Sequence, residues 1–504
     1  MLRRAGAGPI FVLLAAVVCA IVNPGNFGTL DTVRRLQAER WIRLGEPAVL
    51  PADAAAGFGL TGRGGVVYPW YGVGQSLVLL PFDALADATV KPLAGRLGFD
   101  AEKRRQIAEL SIAFLMQAVL TSAVLLLARG ILTSYGFPAP AASAGALSLL
   151  FATTCLAYVQ CAQENELLLV LALASLFSIS RWQQTGAARW AALAGATCGF
   201  AILVRLTSVL DAAVFGGLAL LTAGYRRRFA WAFAPGVAAG LLIDRWYHWL
   251  RFGEWFSTYM GILGRQGRPP GAPESYPFSY PFAKGFLGAF FAPDKSLLWF
   301  DPLLVLLMVL AACRWRNLDR RLRPALLALS GLLLLYIAVF ARYYGFGGDS
   351  AWGHRFLTPA VELLALFAVP ILLTAGRTLP RAARSIAWGV VVLAVALQAL
   401  STTLSSNVEV AQRDFLHSTH SVLVNRVENF GAVVSGRTSE PRFAGMPPEY
   451  RTLVYLPFQL RFRFPDLAKW AVATWWLLLA AAGALVWTIL RRSGVQLRLT
   501  QPRR

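Results

Sequence analysis

The chain has 504 residues, 57% of them hydrophobic and only 15% charged, with a mean hydropathy of +0.54. That composition excludes an ordinary soluble enzyme of several domains, because apolar stretches of the roughly 20 residues that a bilayer crossing needs recur along it. The formal net charge of +22 would suit nucleic acid, but no helix-turn-helix, zinc finger or aromatic-and-basic RNA platform is present, which excludes that partner.

In chain order the apolar runs predict an all-α polytopic membrane protein with about twelve transmembrane helices. They fall near 9–23, 104–128, 139–159, 165–180, 188–204, 207–223, 229–250, 297–313, 323–342, 356–374, 385–404 and 469–490. Arg3 and Arg4 precede the first run as in a signal peptide, but no small-x-small cleavage site fits before "NPGNFG", so it reads as a span. Next comes "LDTVRRLQAERWIRLG", with Leu30, Val33, Leu36, Trp41 and Leu44 at helical spacing and Arg34, Arg35, Arg40 and Arg43 between them. It predicts a helix lying in the head-group layer with its arginines near phosphates. "GQSLVLLPFDALADATVKPLAGRLG" predicts a second interfacial helix, interrupted by prolines and polar residues.

Three connecting segments are long, 24–103, 251–296 and 405–468, and all fall on one side. The loops of the other side are short and basic: "RWQQTGAAR", "YRRRF", "RWRNLDRRLR", "GRTLPRAAR" and the tail "RRSGVQLRLTQPRR". Lys and Arg resist translocation, so these loops and both termini are expected in the cytoplasm and the long segments outside. Residues 1–404 then form a transmembrane core that includes loops 24–103 and 251–296. Residues 405–468 form an extracytoplasmic segment or small domain, and 469–504 the last transmembrane helix with a basic cytoplasmic tail.

Cys19, Cys155, Cys161, Cys198 and Cys313 are scattered, with no CxxC, and read as buried unpaired thiols. Only His417 and His420, in "HSTH", have helix-compatible ligand spacing, and no third ligand motif accompanies them. The cofactor is therefore unassigned: a divalent metal is possible, and no motif marks one.

Four outer segments carry polar groups suited to chemistry. Asp31 returns to the membrane surface after the first span, where a carboxylate can take a proton from a hydroxyl; its plain alternative is an acid compensating a helix dipole. Tyr68, Trp70 and Tyr71 precede Gly72, Gly74 and Gln75. They read as an interfacial aromatic belt or as a site wall, the glycines allowing close backbone approach and Gln75 presenting an amide. Asp294 and Lys295 stand where the chain re-enters a span, as a snorkelling pair or as a phosphate-neutralising lysine. "GFGGDSAWGHRFLTPAVELL" brings Asp349, His354 and Arg355 to one boundary; the five fixed donors of Arg355 suit phosphate oxygens, although a lone boundary arginine is usually an anchor. Glu164, just ahead of the 165–180 run, is counted with the substrate-binding set.

The order of these motifs resembles the bacterial membrane glycosyltransferases of the GT-C superfamily, those related to protein O-mannosyltransferases and lipid A aminoarabinose transferases (family 39-like). The pattern runs from about residue 10 to 375. It comprises Asp31, "YPWYGVGQSLVLLPF", "GFAILVRLTSVL", "YHWLRFGEW", "FFAPDKSLLWFDPLL" and "WGHRFLTPAVELL". The resemblance implies a GT-C type helical core with interfacial helices in the first outer loop, in a bacterial inner membrane. It implies transfer of a sugar from a polyprenyl-phosphate carrier to a glycan, lipid or protein acceptor, with inversion. Asp31 matches the catalytic carboxylate by position, and Arg355 and Lys295 fall where groups facing the carrier phosphate are expected. Three departures stand out: Thr32 replaces a second carboxylate, Trp70 a lysine, and His354 a proline.

Two rivals accompany this reading. A lipid-linked glycan ligase or polymerase would also use outer arginines, but its largest outer loop usually comes late, whereas here the first is longest. A transporter would need mid-membrane polar sites and repeated halves. Asp211 and Asp244 are its candidates, and no repeat is apparent.

Overall fold

The computed structural model describes residues 8–222, 224–348, 351–462 and 464–494. Helices dominate; among the described residues the only strands are Leu60–Thr61 and Val67–Tyr68, a small antiparallel pair in the first long loop.

The chain opens with α1 (Gly8–Val22) and α2 (Leu30–Leu44), the latter at the place expected for the first interfacial helix. Thr29 caps α2 by accepting from the Asp31 N–H at 3.2 Å, and Gly45 ends it in the left-handed conformation at φ 72°. The cap is thus Thr29, and the Asp31 side chain is left for other partners. α3 (Gly74–Leu85) contains Pro81 and runs through a π-turn into a short helix, Lys91–Arg96, the broken course its prolines imply.

Then follow α4 (Ala101–Ser134), α5 (Ala139–Phe151), α6 (Cys155–Gln160), α7 (Glu164–Thr185), α8 (Ala188–Val204), α9 (Val209–Thr222) and α10 (Arg226–Phe252). The second half holds α11 (Phe282–Phe291), α12 (Pro302–Arg314), α13 (Leu322–Phe340), α14 (Thr358–Ala365), α15 (Ala368–Thr374) and α16 (Arg381–Ser401). α17 (Asn407–Asp414), α18 (Val422–Val434) and α19 (Pro465–Arg492) complete it. Among the described residues five helices, α4, α7, α13, α16 and α19, are long and apolar enough to cross a bilayer, and α1, α5, α8 and α11 are shorter apolar helices. α10 is long but carries Asp244, Arg245 and Arg251 in its last turns.

Several expected spans are divided. The run 139–159 stops at Phe151, because the Thr153 hydroxyl donates to the Leu149 carbonyl at 2.5 Å and accepts from the Cys155 N–H at 3.3 Å. A side chain competing in this way for backbone groups ends the helix, and α6 starts afresh. The run 297–313 begins with a single turn, Leu297–Phe300, before α12. The run 356–374 is split into α14 and α15.

The core is built by close helix contact. α8 carries Gly195 and Gly199, and α10 carries Gly236 and Gly240, each pair four residues apart. A Cβ added at any of the four would strike the facing helix's backbone, so the two helices meet main chain to main chain.

Residues 405–462 are largely helical, with a small apolar cluster of Val408, Ala432, Phe443 and Met446. Their polar centre is Arg426, 2% exposed, which grips both oxygens of Glu409 at 2.7 Å and donates to the carbonyls of Ser401 and Leu404 at 2.8 and 2.9 Å. Arg426→Ala strands a buried carboxylate and two carbonyls. It is expected to cost about 3–5 kcal/mol. Thermal unfolding of the full chain in detergent reads this as a clear fall in Tm, and an unchanged Tm contradicts it.

Candidate active site

Asp31 projects from the first turn of α2 and is clasped from two distant parts of the chain. Its Oδ1 accepts from the Tyr71 hydroxyl at 2.6 Å, and its Oδ2 from Arg355 Nη1 at 3.1 Å. The Asp31 and Arg355 side chains are 21% and 20% exposed, so both can be reached by a substrate while largely withdrawn from water. Burial, and next the charge of Asp31, push the Tyr71 phenol well above its usual range, which keeps its proton available for donation.

A second layer holds these groups in place. Glu164 receives Arg35 at 2.5 Å and Arg205 at 2.6 Å and is itself buried, so both its oxygens are engaged by guanidiniums in this structure. Asn165 donates to the Arg355 carbonyl at 2.5 Å and accepts from Arg205 at 3.5 Å. Arg35 stacks over the Tyr71 ring at 4.0 Å, and Arg355 lies 5.0 Å from the Phe356 ring centre. Arg35, Arg205 and Arg355 face two carboxylates, Asp31 and Glu164, leaving an excess of positive charge that suits an anionic ligand.

The aromatic loop divides between site and core. Tyr71 reaches Asp31, whereas Tyr68 is buried edge-on against Trp41 at 5.3 Å and Phe252 at 5.9 Å. Gly72 and Gly74 do need close approach, but to the last turn of α8: a Cβ on Gly74 would lie 2.6 Å from Val204 N, and one on Gly72 2.9 Å from the Val204 carbonyl. Gln75 donates to the Ala162 carbonyl at 2.9 Å, beside Thr32 at 2.6 Å, and so ties α3 to the chain before α7. These three residues build the wall from behind.

Lys295 Nζ donates to the carbonyls of Ala351 at 2.6 Å and Gly353 at 3.4 Å, securing the loop that carries Arg355. His354 is 3% exposed beside Phe346 and Phe356, and burial, with Lys295 nearby, lowers its pKa to about 3. It is a neutral, packed imidazole at physiological pH. Asp349 lies outside the described residues. Asp294 accepts from the Val422 N–H at 2.7 Å, tying its loop to α18.

The arginines of α2 differ from expectation. Arg40 binds Asp83 at 2.9 Å; Arg43 binds Asp83, Asp87 at 2.7 Å and Glu39 at 2.7 Å. α3 and the π-turn after it lay Asp83 and Asp87 along α2, so protein carboxylates take the place assigned to lipid phosphates. His420 lies 3.5 Å from Glu428. Among the described residues no three His, Cys, Asp or Glu side chains converge as a metal site, and all five cysteines are free thiols.

Arg205 is the site residue that sequence reasoning did not single out, and Arg35 was expected to face lipid phosphates rather than Glu164. For Arg205 the signal was present, since an arginine ending the apolar run "GFAILV" demands a partner.

Residues 103–340, just under half the chain, match the profile of glycosyltransferase family 87. With the apolar helices, this supports a membrane glycosyltransferase. The matched stretch includes Glu164, Arg205 and Lys295; Asp31, Tyr71 and Arg355 lie beyond it. No curated protein and no solved structure matches the chain.

Proposed function

We propose that this chain transfers a sugar from a polyprenyl-phosphate carrier to an acceptor hydroxyl on the extracytoplasmic face, with inversion and with Asp31 as general base. The observation that carries the reading is the clasp: a partly exposed carboxylate held by a phenol and by an arginine 324 residues away. The acceptor oxygen attacks the anomeric carbon while its proton passes to Asp31. The bond to the carrier oxygen breaks on the opposite side, and its electron pair leaves on the phosphate. Arg355 is placed to meet that growing charge. In the resting protein the same guanidinium lies on Asp31; an arriving phosphate competes for it and frees Oδ2 for the acceptor. The alternation of short basic loops with long segments supports an outward-facing site.

Sealed right-side-out membrane vesicles test donor and side together. A short-chain polyprenyl-phosphate sugar added outside is expected to be consumed, giving a product of inverted anomeric configuration, while a nucleotide sugar is not used. Direct use of the nucleotide sugar, retention of configuration, or activity confined to inside-out vesicles overturns the proposal.

A further inference from the structure

A cavity lies away from the clasp. It has a volume of about 430 Å³, within the range of small-ligand sites, and opens between α2, the helix Lys91–Arg96 and the first turns of α4. At about 100° per residue, the α2 residues lining it, Val33, Leu36 and Arg40, fall on the face roughly opposite Asp31. It is therefore distinct from the proposed catalytic site.

Most charges around it are already paired. Arg40 is held by Asp83 at 2.9 Å, Lys91 by Asp87 at 2.5 Å and Arg105 by Glu102 at 3.0 Å, while Glu46 accepts from Gln37 at 3.3 Å. Two groups of opposite sign remain. Among the described residues neither the Arg104 guanidinium nor the Glu109 carboxylate has a hydrogen bond or ion pair, and both line the cavity. Val33, Leu36 and Leu50 supply apolar wall beside them.

The setting is the membrane boundary. The 34 residues of α4 extend about 50 Å, against a hydrocarbon core of about 30 Å, so its charged first turns stand at head-group level. We propose that this cavity binds the head group of a zwitterionic phospholipid of the ethanolamine class. Arg104 takes the phosphate, Glu109 takes the ammonium, and the apolar wall covers the glycerol and first acyl carbons. Arg105 and Arg40 act on Glu109 only at longer range, with neither a hydrogen bond nor an ion pair, so an anionic lipid satisfies Arg104 but brings this carboxylate no donor, and the site discriminates by the amine.

The test uses the full chain, delipidated in detergent and titrated with short-chain phosphatidylethanolamine, short-chain phosphatidylglycerol or inorganic phosphate. Binding of the ethanolamine lipid at least ~10-fold tighter than the glycerol lipid is expected, from one charge-assisted contact. Glu109→Gln should erase that preference, Arg104→Gln should weaken both lipids, and millimolar phosphate should not compete. The Asp31→Asn protein should bind the lipid as wild type does, which separates this site from the catalytic reading. Equal affinity of the wild type for the two lipids overturns the proposal without any variant, and so does full competition by phosphate.

Discussion

Asp31→Asn is expected to lower sugar transfer about 100-fold or more while leaving the protein folded, because it removes the proposed general base and little else. The amide oxygen can still accept from the Tyr71 hydroxyl, and the Thr29 cap uses the backbone N–H, which is unchanged. What is lost is the contact with Arg355. With both partners about one-fifth exposed, that ion pair contributes at most about 1 kcal/mol to stability. Turnover with the lipid-linked donor and Tm of the same preparation should therefore separate sharply. Near-normal turnover would return Asp31 to a helix-terminal acid, and a collapsed Tm would make it structural.

Arg355 gives the second large effect. Arg355→Lys keeps the charge but loses the planar fork that can serve Asp31 and a phosphate in turn. A hydrogen bond to a charged group is worth about 1.5–3 kcal/mol, so a loss of roughly 10-fold or more is expected for Lys and a larger one for Ala. The loop should hold in both variants, since Asn165 binds the Arg355 carbonyl and Lys295 holds the carbonyls of Ala351 and Gly353. Weaker donor binding accompanying the lost turnover identifies a phosphate clamp. An anchoring role predicts that Lys substitutes fully, and equal donor affinity and turnover in Arg355→Lys and wild type would end the clamp reading.

Composition and periodicity carried the membrane class and α2, whereas Asp31 and Arg355, each with a plain reading as a helix-terminal acid and a boundary anchor, were nominated by the order of the outer motifs and the resemblance that order carries. What they could not carry was pairing. Glu164 looked like a ligand-facing acid, and only the fold brings Arg35 and Arg205 to it from different helices. Arg40 and Arg43 look free to meet lipid in a list of residues, because Asp83 lies some 40 positions away. Span boundaries failed for a local reason: a threonine at 153 is apolar enough to pass in a hydropathy average, yet its hydroxyl intercepts the helix hydrogen bonds. Gly72 and Gly74 signalled close approach correctly, but sequence cannot say to what.

The glycine seam between α8 and α10 acts as a jig for the chemistry. Its two helices end on the same aromatic loop: α8 beds Gly72 and Gly74 on its last turn, and Arg251 of α10 holds the Pro69 carbonyl at 2.7 Å. Tyr71 sits between those two fixings, so the position of the hydroxyl that donates to Asp31 is set by a helix joint elsewhere in the fold. A misplacement of about 1 Å can cost about 100-fold in rate. On the proposed role of Asp31, the tolerance of the reaction is thus set where main chain meets main chain, by four residues with no side chain.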